Sequence, residues 1–349
     1  MRELLEKWCQ DEGLFYLGTV DLNYKKDFKS FLDWRDLGLH GGLKFLERYD
    51  DVRENPEKLL PGAESAVVFA FSYYLKEDKK KEHLSVARYA QYKDYHKHLR
   101  RKAGGVLRNI QKYLEEKGKK TSGRIVIDSA PLLERALAAK TQRGFIGKNT
   151  LYIHPEMGSF LLLGEILLTE KLPYDHKEKV DPKKRQPQGG CGTCTRCQTH
   201  CPTGALQIPY QLDANLCLAY WSIEHRGVVP EKFWPHFKTY FFGCDICQNV
   251  CPYNRQKSEA EKDLRHLRAQ NLDPYKVAVM NQAEYEEYFG GTPMTRAKIS
   301  GLRRNALIVM AVMGHEKLEE ALEKAELEGQ EEVLVETAFQ IRRYMAAPT

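Results

Sequence analysis

The sequence has little of what a membrane or an export system needs. No apolar run approaches the roughly 20 residues of a spanning helix, and the longest, 160–168, is interrupted by Gly164 and Glu165. The opening stretch MRELLEKWCQDEG carries acidic residues and no apolar core of signal-peptide type, and no twin-arginine export signal occurs. A cytoplasmic protein without a membrane partner is expected. Charge of one sign is also scarce. Lys and Arg number 54 against 48 Asp and Glu, for a net charge of +6; that bias is compatible with a nucleic-acid partner and equally with an ordinary solvated surface. Cysteine is nearly absent from most of the chain. Of nine, eight fall between 191 and 251, and Cys9 stands alone. Cytoplasmic thiols stay reduced, so such a concentration points to metal and not to disulfides. Cys9, in a short amphipathic helix with Leu4, Leu5 and Trp8 on one face, reads as an ordinary buried thiol.

A chain of 349 residues is long for one core, so two or three domains are expected. The run Ala66 to Tyr74 reads as a buried strand, Asp94 to Lys117 as a helix stopped by Gly118, and Arg124 to Ile127 as a second strand. Leu132 to Lys140 reads as a helix with Pro131 in its first turn. Leu151 to Ile153 and Ser159 to Leu168 read as a strand pair joined through 154–158. These elements predict an α/β domain over 1–178. Residues 179–190, charged and rich in Pro and Gly, read as a linker opening a cysteine-rich domain over 179–260, and 258–270 reads as an exposed charged helix or loop. From 261 to 349 the pattern is helical: a capping box at Asn281 and Glu284, then helices near 300–313, 316–327 and 331–344. Leu302, Ala306, Val309, Met310 and Met313 form a core stripe, and the region is expected to be HEAT-like.

Spacing makes the cysteine segment informative. Cys191, Cys194 and Cys197 recur at x2 intervals and Cys201-Pro202 follows after x3; Cys244, Cys247 and Cys251-Pro252 repeat the ending, and Cys217 stands between. Three thiolates at x2 spacing wrap one iron–sulfur cubane while the fourth cysteine reaches the other cluster. By this logic one [4Fe–4S] cluster takes Cys191, Cys194, Cys197 and Cys251, and the second takes Cys201, Cys217, Cys244 and Cys247. Two four-thiolate zinc sites are the alternative, although zinc sites normally pair two CxxC units and do not need the Cys-Pro ending. Two clusters form a short electron wire, and the spacing does not say where it ends.

Several stretches outside this segment resemble the epoxyqueuosine reductase family. They are Arg53-x2-Pro56-x3-Leu60-Pro61-Gly62, Ala87-Arg88-Tyr89-Ala90, Lys93-Asp94-Tyr95-His96, Asp128-Ser129-Ala130-Pro131-Leu132-Leu133-Glu134-Arg135, Gly144-Phe145-Ile146-Gly147-Lys148-Asn149-Thr150 and Ile223-Glu224-His225-Arg226-Gly227. With the cysteine motifs they span about 45–315 in family order. The Asp128 and Gly147-Lys148-Asn149 stretches are the specific ones. The resemblance implies an N-terminal cobalamin-binding domain of reductive-dehalogenase-like fold. It implies that the clusters pass electrons to cobalamin, and that epoxyqueuosine at the wobble position of tRNAs for Asp, Asn, His and Tyr is reduced to an alkene with loss of water.

That chemistry needs a proton donor, and Asp128 matches the family's acid. At neutral pH its pKa would have to be raised by burial; read without the family, Asp128 is a helix N-cap. The resemblance further points to Arg53, Tyr152, Ile153, His154, Leu163, Leu218 and Asp245, with Asp128, as cobalamin contacts. His154 is not assigned as an axial cobalt ligand, since it precedes Pro155 in a turn, and no Asp-x-His-x2-Gly signature occurs. For tRNA, the resemblance implicates Glu224, His225 and Arg226, while Arg296, Lys298, Arg303 and Arg304 read as a basic helix face suited to phosphate or as a solvated helix end. Thr141-Gln142-Arg143 departs from the family pattern, and the C-terminal helical region is shorter than in many members. A low-potential electron donor and a monomeric state are expected. The competing readings are a reductive dehalogenase and a non-catalytic two-cluster electron carrier.

Overall fold

The computed structural model describes residues 1–76, 84–175, 190–238, 240–255, 272–328 and 331–346. The linker read at 179–190, apart from Gly190, lies outside them, as does the charged stretch read at 258–270.

The chain opens with α1 (Arg2–Asp11), β1 (Phe15–Val20), α2 (Lys25–Asp36), α3 (Asp50–Glu54) and β2 (Ser65–Ser72), and continues through α4 (Tyr95–Glu116), β3 (Gly123–Val126) and α5 (Glu134–Lys140). Two short strands follow, β4 (Phe145–Ile146) and β5 (Tyr152–Ile153), then the long β6 (Leu161–Leu168). The strands β1, β2, β6 and β3 pair in that order, every pairing antiparallel, into one sheet. β2 lies between β1 and β6 and is buried along nearly its whole length, which is why it reads as a continuous apolar run without alternation. One face of the sheet packs on α1 and α4 through Leu5, Leu99, Val106 and Ile110 against Val67, Phe69 and Ile166. The other face packs on α2 and α5 through Phe28, Leu137 and Ala138 against Ala66, Val68 and Leu167.

Helix α4 shows why these residues form this element. Asp94 caps it by accepting the His96 N–H. Leu99, Ala103, Val106, Ile110 and Leu114 repeat at helical spacing and are all buried. Gly118 then takes φ +73°, the left-handed turn that stops the helix at little cost for a residue without Cβ. Two expectations are corrected. β5 does not pair with β6: it pairs with β4, Phe145 against Ile153, and only a bridge between His154 and Gly158 closes the intervening turn. Helix α5 begins at Glu134, three residues beyond Pro131, because 128–133 forms a separate turned segment.

The cysteine-rich part carries α6 (Arg196–Thr199), α7 (Trp234–Phe237) and α8 (Ile246–Asn249). Beyond it come α9 (Pro274–Ala278), α10 (Gln282–Phe289, with both halves of the Asn281/Glu284 capping box formed), α11 (Lys298–Met313), α12 (Leu318–Glu328) and α13 (Glu332–Ala346). Their core centres on α11, whose Leu302, Ala306, Val309 and Met310 are fully buried against Trp234, Phe237, Phe241 and Phe242; Met313, at the end of the stripe, is exposed. Burying each such large side chain contributes about 1.5–3 kcal/mol. Leu84, Val86 and Ala90 from the N-terminal part enter this same core. Ala87 N–H donates to Phe242 O at 2.8 Å and Phe241 N–H to Ser85 O at 2.9 Å, so the cysteine-rich part and the N-terminal part meet through shared backbone hydrogen bonds. Among the described residues no helix is long and apolar enough to cross a membrane.

Candidate active site and cluster-binding site

The cysteines converge as their spacing predicts. Cys191, Cys194, Cys197 and Cys251 line one cavity of about 270 Å³, together with Asn149, Ile153, Arg196 and Tyr253. The Cys251 thiol senses Cys191, Cys197 and Cys194, whereas the Cys244 thiol senses Cys217 and Cys201. Burial pushes Cys244 up to about 12 and Cys247 well above its ordinary value. Among the described residues no three His, Cys, Asp or Glu side chains close on a single ion. Cys9 is fully buried in α1, and burial raises it to about 12.

The second constellation gathers where β3 leaves the sheet. Val126 and Ile127 are buried, and Asp128 then turns the chain with φ +55°, unusual for a residue other than glycine. Its N–H donates to Glu134 Oε1 at 2.6 Å. Its Oδ2 accepts from Tyr95 Oη at 2.7 Å and lies 3.3 Å from His96 Nε2. The other imidazole nitrogen, Nδ1, is 2.7 Å from Asp94 Oδ1. His96 is thus held between two carboxylates on the first turn of α4, with its ring stacked on Tyr95 at 4.3 Å. Arg100 donates to Ser129 Oγ at 3.0 Å and ties the segment to the same helix.

This geometry inverts the expected electrostatics of Asp128. The carboxylate stands 58% exposed, and its pKa is lowered, chiefly by the hydrogen bond from His96 and against the opposing effect of desolvation. His96 is raised, first by Asp128 and then by Asp94, so the pair keeps its proton on the imidazole. The carboxyl that burial does raise is Glu134, pushed up to about 8 by desolvation and by the charge of Asp128. Glu165, in the middle of β6, is fully buried with neither carboxylate oxygen hydrogen-bonded, and is raised well above its ordinary range by burial and then by Glu134. The N-cap reading of Asp128 is also corrected, since α5 starts six residues later without a side-chain cap. His96 and Glu134 belong to motifs quoted for the resemblance, but sequence reasoning gave neither a role. The one local signal was Asp94 at a cap position, which places His96 on the first turn.

The residues expected to hold cobalamin are spread over several elements. Leu163 lies on the first half of β6, where Leu161, Leu162 and Leu163 are only half buried before the strand enters the core. Tyr152 and Ile153 are buried in β5. The His154 ring accepts the N–H groups of Glu156 and Met157 through Nδ1, at 3.2 and 3.3 Å, closing its own turn. Arg53 faces inward, 5% exposed, donating to Phe45 O, Arg48 O and Asp50 and lying 5.2 Å from the Phe31 ring. Leu218 is buried in the α11 core. Asp245 is buried between two cluster cysteines and accepts from Arg88 N at 2.8 Å and Arg88 Nη1 at 3.1 Å.

The basic helix face is corrected in part. Arg303 and Arg304 are 4% and 1% exposed and cannot reach a phosphate. Arg304 donates to His225 O, Gly227 O and Trp221 O at 2.7–2.8 Å, and Arg303 to Ala278 O at 2.9 Å. The pattern of charges at the start of α11 does not distinguish a solvated arginine from one that satisfies buried carbonyls. Arg226 likewise donates to Ile223 O, Arg296 O and Ala297 O. Arg296 and Lys298 remain at the surface. Arg296 is held by two-pronged contact with Glu224 at 2.8–3.0 Å and lies 5.2 Å from the Phe45 ring. Its charge also contributes to lowering Asp128, which puts Glu224 and Arg296 on the rim of the acid site. His225, half-buried beside Trp221 at 4.4 Å, is lowered by burial.

A family model described as Epoxyqueuosine reductase QueG, DUF1730, matches residues 53–129, and one described as 4Fe-4S double cluster binding domain matches 190–254. The epoxyqueuosine reductase of Cyclobacterium marinum is 32% identical over 306 residues, covering 87% of this chain and 94% of that one. That of Vibrio cholerae is 32% identical over 315 residues, covering 88% and 82%. Among solved structures, epoxyqueuosine reductase from Streptococcus thermophilus superposes with a TM-score of 0.83 at 24% identity, over 98% of this chain and 89% of that chain. A crystal structure of epoxyqueuosine reductase with an epoxyqueuosine-modified tRNA-Tyr stem loop gives 0.80 at 25% identity, over 97% and 88%. With two relatives that are each 32% identical over most of both chains, the chain belongs to the epoxyqueuosine reductase family.

Proposed function

We propose that this chain reduces epoxyqueuosine on tRNA with His96 and Asp128 acting together as the proton source. Converting the epoxide to an alkene consumes two electrons and two protons and releases one water. The observation that carries the proton assignment is the imidazole held between Asp94 and Asp128 at the open end of β3. With a carboxylate at each ring nitrogen, His96 is stable as the imidazolium, and Asp128 Oδ2 receives its proton over 3.3 Å. Asp128, exposed at the end of β3, is the group that hands the proton to the substrate oxygen, while Tyr95 and the Glu134 carboxyl fix its side chain and backbone. General acid assistance of this kind contributes about 10²–10⁴-fold.

Cobalamin, when bound, supplies the low-valent cobalt chemistry that takes two electrons from the clusters to the epoxide. The half-buried Leu161–Leu163 strip suits a large cofactor held mainly by apolar contacts, with Leu163, Tyr152, Ile153 and the backbone around His154 beside it. Arg53, Leu218 and Asp245 have their side chains turned into the protein, toward the 45–50 segment, the α11 core and Arg88 respectively, so their share in holding the cofactor is indirect. Cys191, Cys194, Cys197 and Cys251 hold one [4Fe–4S] cluster, and Cys201, Cys217, Cys244 and Cys247 the other.

The tRNA contacts fall on the rim: Glu224 and Arg296, then Lys298, with His225 and Arg226 shaping the loop behind them. Arg304 braces that loop, while Arg303 ties α11 to the end of α9 through Ala278 O. The helices α11–α13, read as a HEAT-like stack, form the scaffold on which it sits. The domain limits at 178/179 and 260/261 are retained as a reading of the chain, together with a monomeric state and a separate low-potential donor.

The test is anaerobic reconstitution with iron, sulfide and cobalamin, followed by a low-potential reductant and tRNA bearing epoxyqueuosine, with the digested nucleosides read by mass spectrometry. Conversion to queuosine, lost in Asp128→Asn, is the expected result. Fully loaded protein that leaves the epoxide intact would sink the proposal.

A further inference from the structure

The Gly147-Lys148-Asn149 stretch has no part in the proton chemistry, yet its geometry is unusually constrained. Gly147 and Asn149 are both buried. A Cβ on Gly147 would stand 2.5 Å from Ile153 Cδ1 and 2.6 Å from Asn149 Oδ1, so no larger residue is accommodated without displacing them. The turn is closed by Gly147 N–H to Leu151 O and Thr150 N–H to Gly147 O, each 2.8 Å, and Lys148 O accepts from Tyr210 N at 3.1 Å. What this rigid turn presents to the cysteine segment is Lys148. Its backbone N–H points at Cys191 Sγ, 3.3 Å away. Its Nζ donates to Gly192 O at 2.9 Å and Cys194 O at 3.0 Å, inside the loop that joins two of the cysteines around the 270 Å³ cavity.

We propose that Lys148 tunes the reduction potential of the cluster held by Cys191, Cys194, Cys197 and Cys251, raising it relative to a site without that charge. The inference rests on the cluster assignment given under the proposed function. An added electron makes the cluster more negative. A donor on a ligating sulfur and a fixed cation beside the loop both favour that state. Two carbonyls anchor the ammonium, so it stays within the cluster's field and does not wander into solvent, where screening would weaken it. Arg196 lines the same cavity but is exposed, and its charge is correspondingly less effective. Lys148 is therefore a positioning and tuning residue: it acts on the electron carrier and not on the substrate.

The test uses reconstituted holoprotein, with iron counted for each variant and the two clusters followed by electron paramagnetic resonance during redox titration. Lys148→Met is expected to keep both clusters and to shift one midpoint to a more negative potential, leaving the other in place. Lys148→Arg should remain near wild type and Arg196→Gln should shift less than Lys148→Met. If Lys148→Met fails to assemble the cluster, Lys148→Gln against Lys148→Arg carries the comparison, because both keep donors for Gly192 O and Cys194 O and only one keeps the charge. A neutral variant with full iron content and both midpoints at wild-type values overturns the tuning role. Iron content of one cluster or none in every variant, wild type included, would instead fault the cluster assignment.

Discussion

Replacing His96 by glutamine tests the proton source most directly. The imidazole is the largest cause of the lowered Asp128 pKa; without it the opposing desolvation has less to offset it and the carboxyl moves up, but an ionised carboxylate without a neighbouring proton carrier is a poor acid near neutral pH. In the wild type the proton sits on His96, raised above its ordinary value by Asp128 and then Asp94. Single-turnover queuosine formation in His96→Gln should therefore fall by about 10²–10⁴-fold near pH 7, the range general acid catalysis contributes. The variant should recover about tenfold per pH unit as the medium is acidified toward about pH 5, because each unit protonates ten times more Asp128. The wild type should lose activity only as pH rises through the raised His96 value. The stability signs agree. The raised His96 contributes fully below the ordinary histidine pKa and is lost as pH rises through its folded value. The lowered Asp128 contributes above the ordinary carboxylate pKa and is lost as pH falls through its folded value. The assay is rapid-quench turnover of pre-reduced enzyme from about pH 5 to 9, with nucleosides read by mass spectrometry. A fall of less than about threefold, or a variant profile flat in pH, refutes the assignment.

Other perturbations probe separate parts of the structure. Arg304→Met leaves the carbonyls of Trp221, His225 and Gly227 without a donor, and should cost about 3–5 kcal/mol in urea unfolding of the holoprotein; a loss below about 1 kcal/mol would contradict the bracing role. Glu134→Gln retains an acceptor for the Asp128 N–H and should keep most of its turnover, whereas Glu134→Ala frees the left-handed Asp128 turn and should lower kcat more than KM in steady-state kinetics. Cys217→Ser should remove one of the two clusters and about half of the iron by elemental analysis, leaving the Cys191 cluster signal in place. Arg296→Glu places a second acid beside Glu224 and should weaken tRNA binding and flatten its salt dependence in filter binding, while iron content stays unchanged.

Local order determined much of this protein from the sequence alone. Thiolate spacing is a local constraint, because each cubane must be reached by side chains a few residues apart, and eight cysteines therefore revealed two clusters before any fold was known. The α4 periodicity and the Asn281/Glu284 capping box were legible for the same reason: helices are built from contacts three and four residues apart. What only the tertiary structure decided was every property that depends on what lies across the chain. Strand pairing is one: β5 turned to β4 and not to β6, since a two-residue strand carries no pairing code of its own. The fate of a charge is another. Arg303 and Arg304 read as solvated from their neighbours in sequence, yet they face carbonyls brought from elsewhere. Asp128 sat at a strand end as expected, but its ionisation was set by His96, 32 positions earlier in the chain, and the proton expected on it moved to that ring and to Glu134. A pKa is fixed by the dielectric and the charges within a few ångströms, and those are assembled only when the sheet and α4 close on each other.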